Sequence, residues 1–189
     1  LIEAKSKIEK NLKDYRFDEA AKNAYQFAWH SYCDWYLELS KTILFSENEV
    51  AKNEVKKVST YIFKQILILL HPFIPFVTEE IWLKNKLDNS NRNYLMLVNW
   101  PNGNIRKDED NKDVEYLIHI ISEIRSFKNE LNISPGSFID ISLDKIDKKN
   151  INFFHKNETL LKKLGRISNF LLKDINKSSA SLLIKDNVF

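Results

Sequence analysis

The sequence predicts a mainly α-helical fold, a helical bundle followed by a small α/β subdomain. Only three of the 189 residues are glycine and four are proline, too few for the many turns of an all-β sandwich. Three long segments carry the apolar spacing of helices, and a strand-like pattern replaces this spacing after residues 134–136. We therefore expect two domains, a bundle over 1–134 and an α/β subdomain over 135–189.

The first part of the chain predicts two helices joined by a turn. Residues 1–13 have the spacing of one helix, and residues 15–17 are expected to form the turn after it. Asp18 is the expected N-cap of a second helix that ends near Leu44, because an aspartate side chain can accept hydrogen bonds from first-turn amides.

A third helix is predicted over about 49–70, and prolines end it. Its final segment, 66–70, is apolar on every side, which is typical of a helix at the centre of a bundle. Pro72 and Pro75 are expected to kink the chain, and a short helix resumes over 76–82.

The clearest amphipathic helix is predicted over 109–132, after a short strand over 94–98 and a turn at 101–103. Its apolar stripe steps by three and four residues. The stripe consists of Leu117, Ile120, Ile124, Phe127 and Leu131.

The pattern after residue 136 alternates between strand and helix. Residues 138–143 are strand-like, 150–164 are helical, and β-rich runs follow at 166–172 and 181–184. The chain begins with leucine and ends without a stop signal, so we expect it to be a piece of a longer protein.

The residue types that catalysis needs are too few or too scattered to form a site. One cysteine excludes an internal disulfide framework and fits a reducing compartment. The four histidines show no metal-ligand spacing, and three scattered glycines leave no phosphate-binding loop. His30 and Cys33 lie one helical turn apart, but a structural cysteine is the preferred interpretation. We expect no catalytic residue, no metal site and, since no apolar run approaches ~20 residues, no membrane span.

Charge and aromatic residues suggest an anionic partner. Residues 1–144 carry a net charge of −3 and residues 145–189 carry +6, although a solvated lysine-rich surface would also explain this bias. Six aromatic residues fall within 25–36, too many for one buried stripe of an α-helix. Either this helix is buried on two sides or one aromatic edge faces solvent, where aromatics beside cations can stack on unpaired bases.

Four ordered motifs resemble the anticodon-binding domain of class I valyl-tRNA synthetases. They are residues 15–21 (YRFDEAA), 29–41 (WHSYCDWYLELSK), 70–82 (LHPFIPFVTEEIW) and 124–136 (IRSFKNELNISPG), with Trp100-Pro101 between the last two. The resemblance covers essentially the whole chain, and the CDWYLE run favours valine over isoleucine or leucine. The nucleotide-binding signatures of the class I catalytic domain and the C-terminal coiled coil of the family are absent from the chain.

The resemblance implies a tRNA-recognition part of an ATP-dependent valine–tRNA ligase, with a valine tRNA as partner. ATP and Mg²⁺ would belong to the catalytic domain of the longer protein, and no cofactor is expected in this chain. A cytoplasmic, monomeric parent is expected, and the isolated chain is expected to be inactive. The alternatives are the equivalent domain of an isoleucyl- or leucyl-type enzyme and a helical protein-interaction module.

The candidate anticodon-binding residues lie on two predicted surfaces. Tyr32 is expected to stack on a base, while the basic residues at the end of the first helix hold phosphates. These basic residues are Lys10, Lys13 and Arg16, and the second-rank candidates are Arg125 and Lys128. His71, Pro72 and Pro75 are interpreted as a structural kink that returns Trp82 to the core. Trp29, Trp35 and Trp82 are all expected to be core residues.

Overall fold

The structure, a computed structural model, describes residues 1–87, 94–101, 112–142, 148–171, 183–184 and 187–188. The chain divides into two compact units, Leu1–Arg106 and Lys107–Phe189. The described residues are mostly helical, with two small two-stranded sheets in the second unit, which confirms the predicted fold class. The helix over Lys112–Glu130 falls within the second unit, and the division into domains 1–134 and 135–189 stays a prediction.

The first two helices are α1, Ile2–Lys13, and α2, Phe17–Gln26. The prediction that Asp18 caps α2 is wrong, because Arg16 occupies the N-cap position and no side chain makes a capping hydrogen bond. Asp18 lies instead in the first turn, where its negative charge complements the positive end of the helix dipole.

Helix α2 continues into a π-helix, Phe27–Leu37, and then into α3, Glu38–Leu44. The predicted end near Leu44 is therefore confirmed. A π-helix pairs each amide with the carbonyl five residues earlier, so its winding differs from that of an α-helix. The residues that share a face in this segment consequently differ from those that an α-helical spacing predicts.

Helix α4, Glu49–Leu70, is the centre of the first unit. Its Leu69 packs in a buried cluster with Ile8, Ala20 and Ala24. Its Leu67 and Ile68 pack in a second cluster with Trp82 and Leu95. The apolar end of the helix thus contacts neighbours on several sides, which confirms its predicted central position.

Helix α5, Pro75–Lys84, starts after the predicted kink. The buried hydroxyl of Thr78 lies 2.8 Å from His71 Nδ1 and donates to the carbonyl oxygen of Ile74 at 2.9 Å. This pair ties the end of α4 to the first turn of α5, so His71 has a structural role.

The expected strand over 94–98 is a short 3-10 helix, Leu95–Leu97. Glu79 explains the difference, since its Oε1 accepts a hydrogen bond from Leu95 N at 2.8 Å and its Oε2 accepts one from Met96 N at 3.2 Å. A carboxylate from α5 therefore holds two backbone amides that a strand would offer to a partner strand. The turn expected at 101–103 lies outside the described residues except for Pro101, which is buried.

Replacing Glu79 with alanine is expected to lower the free energy of unfolding by about 2–3 kcal/mol, because two charge-assisted hydrogen bonds are lost. Chemical denaturation measures this change. Glu80→Ala is the adjacent control, since the partner of Glu80 among the described residues is Lys84 on the surface, at 3.0 Å, and exposed pairs contribute about 0–1 kcal/mol. Equal losses for the two variants would contradict the structural role of Glu79.

The second unit packs α6, Lys112–Glu130, against α7, Lys148–Gly165. Strands β1, Ile139–Ser142, and β2, Ile167–Leu171, pair in parallel, and α7 lies between them in the chain. A second pair, β3, Leu183–Ile184, and β4, Asn187–Val188, is antiparallel. These elements confirm the predicted helix over 150–164 and the strands predicted over 138–143, 166–172 and 181–184, of which residues 143, 172 and 181–182 lie outside the described residues.

The stripe of α6 is buried at its first three positions, Leu117, Ile120 and Ile124, and partly buried at Phe127. Leu131, the last residue of the predicted stripe, directly follows the end of α6 and is exposed.

Candidate nucleic-acid interface

The turn between α1 and α2 closes in the Schellman pattern, which usually places glycine at its left-handed position. Arg16 N donates to Asn11 O at 2.8 Å and Tyr15 N donates to Leu12 O at 3.2 Å. Tyr15 occupies the left-handed position with φ of 57°. A bulky side chain is sterically disfavoured there, and such a residue persists only where the surrounding structure holds it.

This strained backbone presents an aromatic pair to solvent. The side chains of Tyr15 and Phe17 are 82% and 56% exposed, and their ring centroids lie 6.2 Å apart in an edge-to-face arrangement. Exposed aromatic faces next to cations are the groups on which unpaired bases stack.

Three basic residues lie close to the pair in the sequence. Lys10 and Lys13 are in the last turn of α1, where a positive charge complements the helix dipole, and both are exposed. Neither lies within 4.0 Å of a carboxylate in the described part of the chain, and Arg16 makes only a 4.0 Å contact with Glu19. We call these residues the α1–α2 turn surface: Lys10, Lys13, Tyr15, Arg16 and Phe17. The three predicted basic residues are exposed, and next to them in the chain are two exposed aromatics that the sequence assigned only to a turn.

Tyr32 does not belong to this surface, and its expected exposure was wrong. It is 8% exposed, its hydroxyl donates to Ser59 O at 3.1 Å, and its ring stacks on Tyr36 with centroids 5.5 Å apart. Burial raises the pKa of its phenol. Tyr32 is therefore a core residue of the first unit whose ring is not presented to a base.

The prediction that Trp29 is a core residue is also wrong, since its side chain is 53% exposed. It stacks on the exposed ring of Tyr25 with centroids 6.3 Å apart and planes at 5°. Trp35 is partly buried, and Trp82 alone of the three tryptophans expected in the core is fully buried. The exposed aromatic edge of this helix thus consists of Tyr25 and Trp29 rather than Tyr32.

The second-rank candidates Arg125 and Lys128 lie in the second unit. The guanidinium of Arg125 donates from Nε and Nη2 to Leu164 O at 3.2 and 2.9 Å. The Nζ of Lys128 donates to Ser137 O at 2.6 Å and lies 3.5 Å from Pro135 O, and the side chain is buried. Lys128 is therefore not a surface cation.

The described residues contain no group of three His, Cys, Asp or Glu side chains that could hold a metal ion. His30 Nδ1 contacts Asp34 Oδ2 at 3.1 Å. Burial, followed by the charge of Asp34, raises the pKa of the Cys33 thiol, which disfavours the nucleophilic thiolate. No helix in the described part of the chain is long and apolar enough to cross a membrane.

A helical unit that presents aromatic rings beside cations has the chemistry of a single-stranded nucleic-acid-binding module. A family model described as the anticodon-binding domain of tRNA ligase matches residues 1–143. The chain belongs to this family, which confirms the class that the sequence motifs resemble.

The individual relatives to which the chain is similar are valine–tRNA ligases. The chain is 67% identical over its whole length to a valine–tRNA ligase of Pelagibacter ubique, of which it covers 22%. It is 34% identical over 180 residues to that of Bartonella henselae and 31% identical over 186 residues to that of Brucella suis. These matches span 94% and 97% of the chain and 20% of each relative, so the chain spans about a fifth of the length of these proteins.

Proposed function

We propose that the chain recognises the anticodon loop of valine tRNA as part of a valine–tRNA ligase that attaches valine to its tRNA using ATP. The observation that carries this proposal is the strained and exposed Tyr15 at the α1–α2 turn surface, within a chain of the anticodon-binding family. ATP and Mg²⁺ would bind to another part of the longer protein. The cytoplasmic location and monomeric state that the resemblance implies stay predictions.

The α1–α2 turn surface fits an opened RNA loop. Sequence-specific proteins recognise unstacked loop bases by stacking them on aromatic rings and bonding their edges. Tyr15 and Phe17 would supply the ring faces, and Lys10, Lys13 and Arg16 would neutralise the neighbouring phosphates. The hydrogen bonds of the Schellman turn hold Tyr15 in place before RNA binds, which reduces the ordering cost of binding.

A second candidate function, binding of a partner protein, is favoured by the apolar surface of α5. Phe76 and Val77 are exposed in its first turns, and Leu83 is exposed near its end. Exposed apolar surface of this kind is typical of protein contacts.

Salt dependence separates the two functions. When the three basic residues neutralise RNA phosphates, counterions are released. These three contacts alone are expected to give a slope of log K for tRNA against log salt of about −2, from about 0.7 per contact, and any further phosphate contact makes the slope steeper. Titration of labelled valine tRNA at several chloride concentrations measures this slope. Saturable binding whose affinity is independent of salt, or no binding at the lowest salt, would contradict the RNA-binding function.

A further inference from the structure

A cavity in the second unit has cationic walls. Its volume is about 370 Å³, and it lies between the C-terminal half of α6, the turn after it and the end of α7. Its lining includes Arg125, Lys128, Asn129, Pro135, Gly165 and Arg166. None of the described lining residues is acidic, so the cavity concentrates positive charge.

Lys128 is the buried cation of this cavity. It is 2% exposed, and among the described residues its ammonium contacts the neutral carbonyl oxygens of Pro135 and Ser137. No carboxylate lies within ion-pair distance of its ammonium in the described part of the chain. A buried charge without an opposite charge is unfavourable, and a bound anion would remove this cost.

The charges of the neighbouring arginines add to this cost. Burial, then Arg166 and then Arg125, lower the pKa of the Lys128 ammonium. All three cations line the same cavity. An anion in that region would favour the charged form of Lys128.

Arg166 lies in a backbone conformation that favours glycine. Its φ is 54°, directly after α7 ends at Gly165, where helices commonly place glycine. The guanidinium carbon lies 5.6 Å from the centroid of the exposed Phe138 ring. A guanidinium therefore lines the cavity from a strained backbone position.

From this geometry we propose that the cavity is an oxyanion site that takes a phosphate group of bound RNA. The RNA assignment rests on the proposed function, whereas the oxyanion site rests on the cavity alone. Guanidinium groups and an ammonium are the donors that proteins use for phosphate, and the cavity is large enough to admit one phosphate group. A free phosphate ion offers the same chemistry, so the test must distinguish the two sources.

The test compares Arg166→Asn with Lys156→Met in the full chain. Asparagine tolerates the left-handed conformation, so Arg166→Asn removes the charge while keeping the backbone. Lys156 is an exposed lysine of α7 outside the cavity and controls for the loss of one charge. Arg166→Gly is the second variant, because glycine removes the strain entirely.

Inorganic phosphate, exchanged for chloride at constant ionic strength, is the probe of the first arm, and the unfolding temperature is the readout. Phosphate is expected to raise the unfolding temperature of the unaltered chain and of Lys156→Met, and to raise it less in both Arg166 variants. The oxyanion site would be overturned if phosphate raised the unfolding temperature equally in all four proteins, or in none of them. The exception would be a reduced salt slope of tRNA binding in the Arg166 variants alone.

The second arm uses valine tRNA at several salt concentrations. Both Arg166 variants are expected to reduce the slope of log K against log salt by about 0.7–0.9, the value for one phosphate contact, while Lys156→Met leaves it unchanged. A phosphate response with an unchanged slope would assign the cavity to free phosphate and overturn the RNA assignment. Absence of any tRNA binding would refute the proposed function, and the phosphate arm would still decide on the oxyanion site.

Discussion

Replacing Trp82 with alanine is expected to lower the free energy of unfolding by about 3–5 kcal/mol, the range for deleting a buried large aromatic side chain. Trp82 is 4% exposed and packs against Leu67, Ile68 and Leu95. Its removal leaves a cavity where α4, α5 and the 3-10 helix meet. Chemical denaturation followed by circular dichroism measures the loss.

Trp29→Ala is the matched control, because it deletes the same side chain at an exposed position of the same unit. It is expected to cost less than about 1.5 kcal/mol, the upper value for an aromatic pair such as its stack on Tyr25. Trp35, which is partly buried, should fall between the two. A larger loss of unfolding free energy for Trp29→Ala than for Trp82→Ala would contradict the burial of Trp82 and the exposure of Trp29.

Replacing Tyr15 with asparagine is expected to weaken valine tRNA binding about 5- to 150-fold, which corresponds to the ~1–3 kcal/mol of one stacked base. Asparagine tolerates the left-handed backbone, so the stability of the chain should remain equal or rise. Loss of binding without loss of stability is the combination that separates a recognition residue from a core residue. Fluorescence anisotropy with labelled tRNA and thermal unfolding give the two measurements.

Tyr61→Asn provides the control, since Tyr61 is an exposed tyrosine of α4 outside the α1–α2 turn surface. It should leave tRNA affinity within about twofold of the unaltered chain, a change below the ~1 kcal/mol assigned to stacking. If Tyr15→Asn binds tRNA as tightly as the unaltered chain, the ring of Tyr15 is not a stacking platform.

Element boundaries and the central helix could be predicted from the sequence because they depend on local spacing. The ends at Leu44 and Leu70 agree with the structure, as does the burial of 66–69. The exposure of individual aromatics could not be predicted in the same way. It depends on the π-helical winding of 27–37, which buries Tyr32 and leaves Trp29 exposed, and the apolar pattern alone does not reveal that winding.

Contacts between segments that are separated in the sequence could not be predicted from local apolar spacing either. Glu79 replaces an expected strand with a 3-10 turn through bonds to residues 95 and 96. Lys128 looks like a surface cation in the sequence, but its ammonium reaches the carbonyl of Ser137 after α6 ends.

The α1–α2 turn surface could have been predicted from the sequence, since aromatics stand on both sides of Arg16 directly after a helix that ends in basic residues. What the sequence lacks is glycine at the Schellman position, and only the structure shows that Tyr15 adopts the left-handed conformation there.

Anticodon recognition is tested most directly by comparing the affinity of the chain for valine tRNA with its affinity for the same tRNA carrying replaced anticodon bases. Recognition of the anticodon predicts weaker binding of the altered tRNA, and Tyr15→Asn should reduce the difference between the two, because the ring contributes mainly when the correct loop is bound. Equal affinity of the unaltered chain for both tRNAs would contradict anticodon recognition.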